Sequence, residues 1–114
     1  MANDLNDCNF IGRLGAEPDT RQMPDGSNVC NIRIAVGRRW NDDNGNRQER
    51  TEWVPVVFFG PLANVADRYL SKGSKVMIKG AFRTRKWQGD DGQDRYTTEI
   101  VADWMQMLDS RPAT

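Results

Sequence analysis

"KVMIKGAFRTRKW", residues 75–87, is the stretch that decides how this chain folds. Val76, Ile78 and Phe82 hold even positions, while Lys75, Met77, Lys79, Ala81, Arg83, Arg85 and Trp87 hold odd ones. Side chains alternate between the two faces of a β-strand. The alternation therefore predicts a strand over 74–87 with the even set in the core. Basic side chains then line the opposite face, and Trp87 ends the row.

Working outward, Gln88-Gly89-Asp90-Asp91-Gly92 predicts a hairpin into a further strand over 94–102. Upstream, residues 61–72 predict the chain's one helix. Pro61 suits a first helical turn. Leu62, Val65, Ala66, Tyr69 and Leu70 recur at helical spacing as one apolar stripe. Lys72 and Gly73 supply a stop. Before the helix, "TEWVPVVFF" (51–59) predicts a strand that is apolar on both sides toward its end. Pro55 cannot donate to a ladder, so an edge or unpaired position is expected for it.

Residues 29–40 predict a long strand with Cys30, Ile32, Ile34 and Val36 on one face. Asn31, Arg33 and Ala35 take the other, and Trp40 ends the run. "NDDNGNRQER" (41–50) predicts a polar hairpin tip around Asn44-Gly45. Residues 8–14 predict a half-buried strand with Cys8, Phe10 and Leu14 facing one way and Asn9 and Arg13 the other. Gly12 and Gly15 leave room there for a bend or bulge. Glu17-Pro18-Asp19 and Pro24-Asp25-Gly26 predict turns. Three strands, a helix and two strands is the order of an all-β OB-fold: a five-stranded Greek-key barrel with one α-helix between strands three and four. Other small β-rich domains share that order.

A chain of 114 residues suits one domain. Lys plus Arg number 16, and so do Asp plus Glu. Net charge therefore says nothing of a polyanionic partner, and any such case rests on where the charges sit. No stretch approaches the ~20 apolar residues of a membrane span. The polar, acidic N-terminus is neither a signal nor a transit peptide. No membrane association and a cytoplasmic location are expected. Cys8 and Cys30 are isolated and read as reduced, buried thiols; a disulfide or a metal site is the alternative.

With no His, the usual residue for zinc and for acid–base catalysis is missing. There is no Gly-rich phosphate loop, no GxSxG and no Cys–His pairing. Asp42-Asp43 and Asp90-Asp91 are carboxylate pairs that could hold a metal, but both lie on hairpin tips and read as solvated turn residues. No enzyme, no cofactor and no metal are expected.

Arrangement is more informative than composition. From Arg68 to Trp87 there is no acidic residue, while Lys72, Lys75, Lys79, Arg83, Arg85 and Lys86 follow one another. Such a stripe suits a phosphate backbone; it also suits a solvated face whose lysines block edge pairing. Trp53 and Phe59 share one parity, Trp40 ends a strand beside a polar hairpin, and Trp87 opens the last hairpin. Large rings at strand ends are well placed for base stacking, worth roughly 1–3 kcal/mol per base. Read singly, each ring serves packing equally well.

These residues carry a resemblance. "NFIGRLGAEPDTRQMPDGSNVCNIRIAV" (9–36), "TEWVPVVFFGPLANVADRYLSKGSKVMIKG" (51–80), "RTRKW" (83–87), "GQDRYTTEIVAD" (92–103) and "MQML" (105–108) resemble the bacterial single-stranded DNA-binding (SSB) proteins over about residues 8–108. The resemblance implies an OB-fold homotetramer in which the strand around Asn9 to Leu14 contributes to dimer pairing. It implies binding of single-stranded DNA without sequence preference, protecting it in replication, recombination and repair. It implies stacking by Trp40, Trp53, Phe59 and Trp87, and phosphate contacts by Lys72, Arg83, Arg85 and Lys86. Lys75 and Lys79 join that set from the charge stripe alone.

The chain departs from the family at three places. Some relatives carry basic residues just after the positions of Trp40, Trp53 and Gly60; here stand Asp42-Asp43, Val54-Pro55 and Pro61. Fewer phosphate contacts imply a shallower salt dependence. Trp104 stands before "MQML", where no aromatic is expected; packing on the barrel and a subunit contact are both open to it. Residues 1–108 are expected to form the binding domain and 109–114 to start a tail. The family's acidic tip does not follow, so its protein partners are not expected. The location is nucleoid-associated, or the host cytoplasm for a phage-encoded version. A primosome-type accessory protein on the same fold is the alternative function. A hairpin-carboxylate metal nuclease is a third.

Overall fold

Strict alternation over 75–80 builds the wall of a closed barrel. The computed structural model describes residues 3–109. Its elements are β1 (Cys8–Leu14), β2 (Asp19–Gln22), β3 (Asn28–Asn41), β4 (Arg47–Phe59), α1 (Pro61–Tyr69), β5 (Lys75–Gln88) and β6 (Asp94–Met107). Strand order is β1-β5-β6-β4-β3-β2, and β1 also pairs with β3. That extra pairing closes β1, β5, β6, β4 and β3 into the five-stranded barrel of an OB-fold. β1 runs against β5 from Cys8 to Arg13 and bends onto β3 at Arg13 and Leu14. The bend expected near Gly12 is the point at which the strand changes partner.

The core is the set that alternation selects. Leu14, Cys30, Ile32, Ile34, Val56, Phe58, Val76, Ile78 and Ile100 point inward, and α1 covers the group with Ala63, Ala66 and, just past its end, Leu70. Cys30 is buried, Cys8 is partly buried, and both are free thiols. Pro55 faces Arg33 in the β3–β4 register, but the Arg33 carbonyl accepts from the Gly15 N–H instead. Pro55 thus stands at a position that asks no hydrogen bond of its nitrogen, as expected.

Several expectations are corrected. Asp19 does not complete a turn; it starts β2, a polar strand laid on Asn28–Asn31. Half of the 41–50 tip is strand, since β3 and β4 stay in register out to Asn41 opposite Arg47. The turn proper is held by the Asp42 carboxylate, which accepts from the N–H groups of Asn44 (3.0 Å) and Asn46 (2.8 Å). Asp91 holds the other hairpin, accepting from the Gln93 N–H at 3.0 Å. α1 stops at Tyr69, and Val65 and Tyr69 are exposed because the small faces of Ala63 and Ala66 seat the helix. β6 runs on to Met107, past a register shift opposite Lys79 and Gly80 that places Trp104 beside Lys79. Phe82 is not core: beyond Gly80 the β5–β6 hairpin leaves the barrel as an arm, and the ring is 52% exposed. The tail expected from residue 109 lies, past Asp109, outside the described residues.

Candidate nucleic-acid interface

Alternation fixes which side chains meet on the barrel's outer face. β4 presents Trp53, Val57 and Phe59 there, and β3 adds Asn31 and Arg33 beside them. From the other hairpin, β5 brings Arg83, Arg85 and Trp87, with Glu99 and Thr97 opposite on β6. Two parallel rungs, Val56 to Ile100 and Val57 to Val101, place the two hairpins edge to edge. A cleft of about 260 Å³ lies beside these rungs, lined by Glu17 and Asp19 from the segment after β1, by Arg33 and Pro55, and by Glu99.

Rings and cations interleave along this groove. The Arg33 guanidinium lies 5.9 Å from the Trp53 ring centre, and that of Arg83 lies 5.3 Å from Phe59. Trp87 donates its indole N–H to the Thr97 hydroxyl at 2.8 Å, which fixes the ring edge and leaves a face open. Trp53 is seated on Gly15, where any β-carbon would run into the indole. Trp53, Phe59 and Trp87 are 51%, 41% and 43% exposed. These rings are neither sealed inside nor loose on the surface.

Glu99 lies under the cations. Its carboxylate accepts from Arg83 Nη2 at 2.5 Å and from Arg85 Nε at 3.4 Å. Each arginine spends one nitrogen on Glu99 and stays about half exposed, which leaves N–H groups open to other partners. Five donors on a planar guanidinium permit this division. Two half-exposed cations thus share one buried counter-charge.

Not every expected residue joins this groove. Trp40 shares its parity with Ile34 and Val36, so it lies on the opposite face of the β3–β4 hairpin from Trp53, with Arg38 5.4 Å from its ring centre. Lys86 likewise projects from the other face of the arm and pairs with Asp94 at 3.2 Å. Lys79 stands between Asn9 of β1 and Trp104 of β6. Lys75 lines a separate basic hollow with Arg13, Arg39 and Arg50. Lys72 is exposed in the turn after α1, where its backbone N–H binds the Glu17 carboxylate at 3.1 Å. Sequence reasoning missed Arg33 and Glu99. Arg33 carried the signal of sharing a strand face with Ala35, which sits opposite Trp53. Glu99 carried none, because its burial comes from arginines on a neighbouring strand.

The chain was compared with known proteins. A family model described as "Single-strand binding protein family" matches residues 5–108. "Single-stranded DNA-binding protein 1" of Xylella fastidiosa (strain 9a5c) is 49% identical over 105 residues, spanning 91% of this chain and 77% of that protein. Among solved structures, the "Plasmodium falciparum SSB complex with ssDNA" superposes with a TM-score of 0.86 at 30% identity, covering 96% of this chain and 99% of that one.

Proposed function

The chain belongs to the single-strand binding protein family, and on that footing we propose that it holds single-stranded DNA along the outer groove, without sequence preference and without chemistry. One observation carries the reading: Trp53, Phe59 and Trp87 share a surface with Arg33, Arg83 and Arg85. Every base has a π-face, so stacking on rings tolerates any sequence. Guanidiniums aimed at solvent take the phosphates and release counterions. Trp40, at the far end of β3, extends the stacking surface to the other face of its hairpin. Lys72, Lys75, Lys79 and Lys86 broaden the positive field around the path.

The assembly we propose is a homotetramer in which β1 contributes to pairing between copies, with Trp104 near a contact. The protein works in the cytoplasm with the nucleoid, keeping unpaired DNA covered during replication, recombination and repair. The test is a titration of intrinsic tryptophan fluorescence with oligo-dT at rising salt. Strong quenching that weakens with salt is expected. Unchanged fluorescence at low salt would remove the stacking assignment.

A further inference from the structure

The far face of the β5–β6 arm carries two open rings that the outer groove does not use. Tyr96 is 67% exposed and Phe82 52%, while the groove's own rings lie between 41% and 51%. Register places them on one surface: Lys86 stands opposite Tyr96, Thr84 opposite Thr98, and Phe82 opposite Ile100. Ile100 belongs to the core, so this row continues the inner side of the barrel wall out onto the arm. Arg83, Arg85 and Trp87 occupy the other side. One exposed apolar side chain is ordinary. A ring beside a lysine and a second ring further along the same face, on a ribbon whose reverse face holds a ring and two arginines, form a pattern.

The base of this face is pinned. The Asn6 side chain donates to the Phe82 carbonyl at 2.7 Å and accepts from the Phe82 N–H at 2.9 Å. It takes both backbone groups of Phe82 just past Gly80, where β1 stops pairing with β5. Beyond this clamp the β5 edge has no neighbouring strand among the described residues. The arm is therefore two strands wide, about 5 Å between strand axes. Trp87 and Lys86 are consecutive and project to opposite faces, so a polymer leaving one reaches the other across that open edge.

We propose that single-stranded DNA turns over the β5–β6 arm, passing from Trp87 on the outer groove to Lys86, Tyr96 and Phe82 on the far face. This rests on the outer-groove reading and extends its path. The chemistry is that of a stacking platform with a cation beside it. Phe82 and Lys86 are four positions apart on β5, about 13 Å at strand spacing. The Lys86–Asp94 pair is no obstacle, since its side chains are 60% and 50% exposed. Exposed pairs of that kind are weak, and a phosphate displaces the carboxylate. Trp40 sets a parallel on the other hairpin, standing on the core-side face and not on the groove side.

The experiment compares wild type, Tyr96→Ala and the Phe82→Ala/Tyr96→Ala double variant with a short and a long oligo-dT. The short one spans the outer groove only; the long one also spans the arm. Wild type and variants are expected to bind the short oligonucleotide equally. With the long one, Tyr96→Ala is expected to lose roughly ten-fold in affinity, one stacking contact, and to cover fewer nucleotides per protomer at saturation. In wild type, 5-iodouracil in the long oligonucleotide is expected to crosslink to Tyr96. Tyr96→Ala sits on an exposed strand position and keeps the test valid if the double variant folds poorly. Unchanged affinity and coverage in Tyr96→Ala would overturn the proposal. So would a drop in assembly mass with DNA coverage intact, which makes this face a contact between copies. Wild type that ignores both oligonucleotides overturns the outer-groove reading together with this one, whereas loss confined to the long oligonucleotide upholds both.

Discussion

Arg83 closes over Glu99, the one charged side chain among the described residues that is buried, at 5% exposure. The same guanidinium covers Phe59. Arg83 therefore links a buried charge to the outer groove, and its removal is expected to have two effects. Arg83→Ala leaves the carboxylate with only the longer bond to Arg85. The expected cost is about 1–2 kcal/mol in a urea melt, held below a fully buried pair because Arg83 is half exposed. The slope of log affinity against log salt for oligo-dT is expected to flatten by about 0.7, one single-strand phosphate contact.

Gly15→Ala tests the seating of Trp53. A β-carbon at Gly15 lies 2.9 Å or less from ring atoms of the indole, so the ring must move off its seat. Oligo-dT affinity is expected to fall by up to about 1–3 kcal/mol, the range of one stacking contact. Trp53→Ala is expected to reach the same range by removing the ring. A Trp53→Ala chain that binds DNA as wild type does would favour an accessory role through protein contacts.

Gly80→Ala tests the crossing of β5 and β6. Its β-carbon would lie 2.8 Å from the Val101 carbonyl carbon and 2.9 Å from the Ala102 α-carbon. Backbone cannot swing aside as a side-chain tip can. The expected loss is about 1–3 kcal/mol, toward the upper end, read as a lower urea midpoint.

Cys30 offers a chemical test. Burial pushes its thiol above the ordinary value of 9.0, against a smaller downward pull from the Thr20 hydroxyl. The folded state holds the proton after the unfolded chain has released it. Cys30 therefore contributes stability that is complete below pH 9 and fades as pH climbs past it. A thiol reagent is expected to modify Cys8 first and Cys30 only on unfolding; Cys30→Ser should remove the alkaline part of the stability loss.

Much of the fold was legible because period 2 is a local property. Cys30, Ile32, Ile34, Val76 and Ile78 reveal their side of the sheet in the sequence itself. Parity reveals the side and not the depth. Phe82 and Trp40 have core parity but lie past the end of the barrel and are exposed, and the same parity sets Trp40 on the face away from Trp53. β2 was illegible because Asp19–Gln22 has no apolar alternation; it becomes a strand only by lying on β3. Within the groove, Trp53, Phe59, Trp87, Arg83 and Arg85 were readable as rings and cations of matching parity. The role of Glu99 was not, since it depends on cross-strand neighbours brought together by register.

The barrel divides naturally into two leaves. One is β2, β3 and β4; the other is β1, β5 and β6. Within each leaf the ladders are long, but the leaves join through only two paired positions at β4–β6 and two at β1–β3. Pro55, just ahead of the first of these, has no N–H with which to lengthen the join. Thermal opening is least costly along such seams, so slow amide-proton exchange should begin to fail at Val57, on the β6 side of β4, before it fails within either leaf. Trp53 and Phe59 ride on one leaf, Trp87 and Arg85 on the other. A strand held as proposed would therefore bridge the seam and tie one leaf to the other.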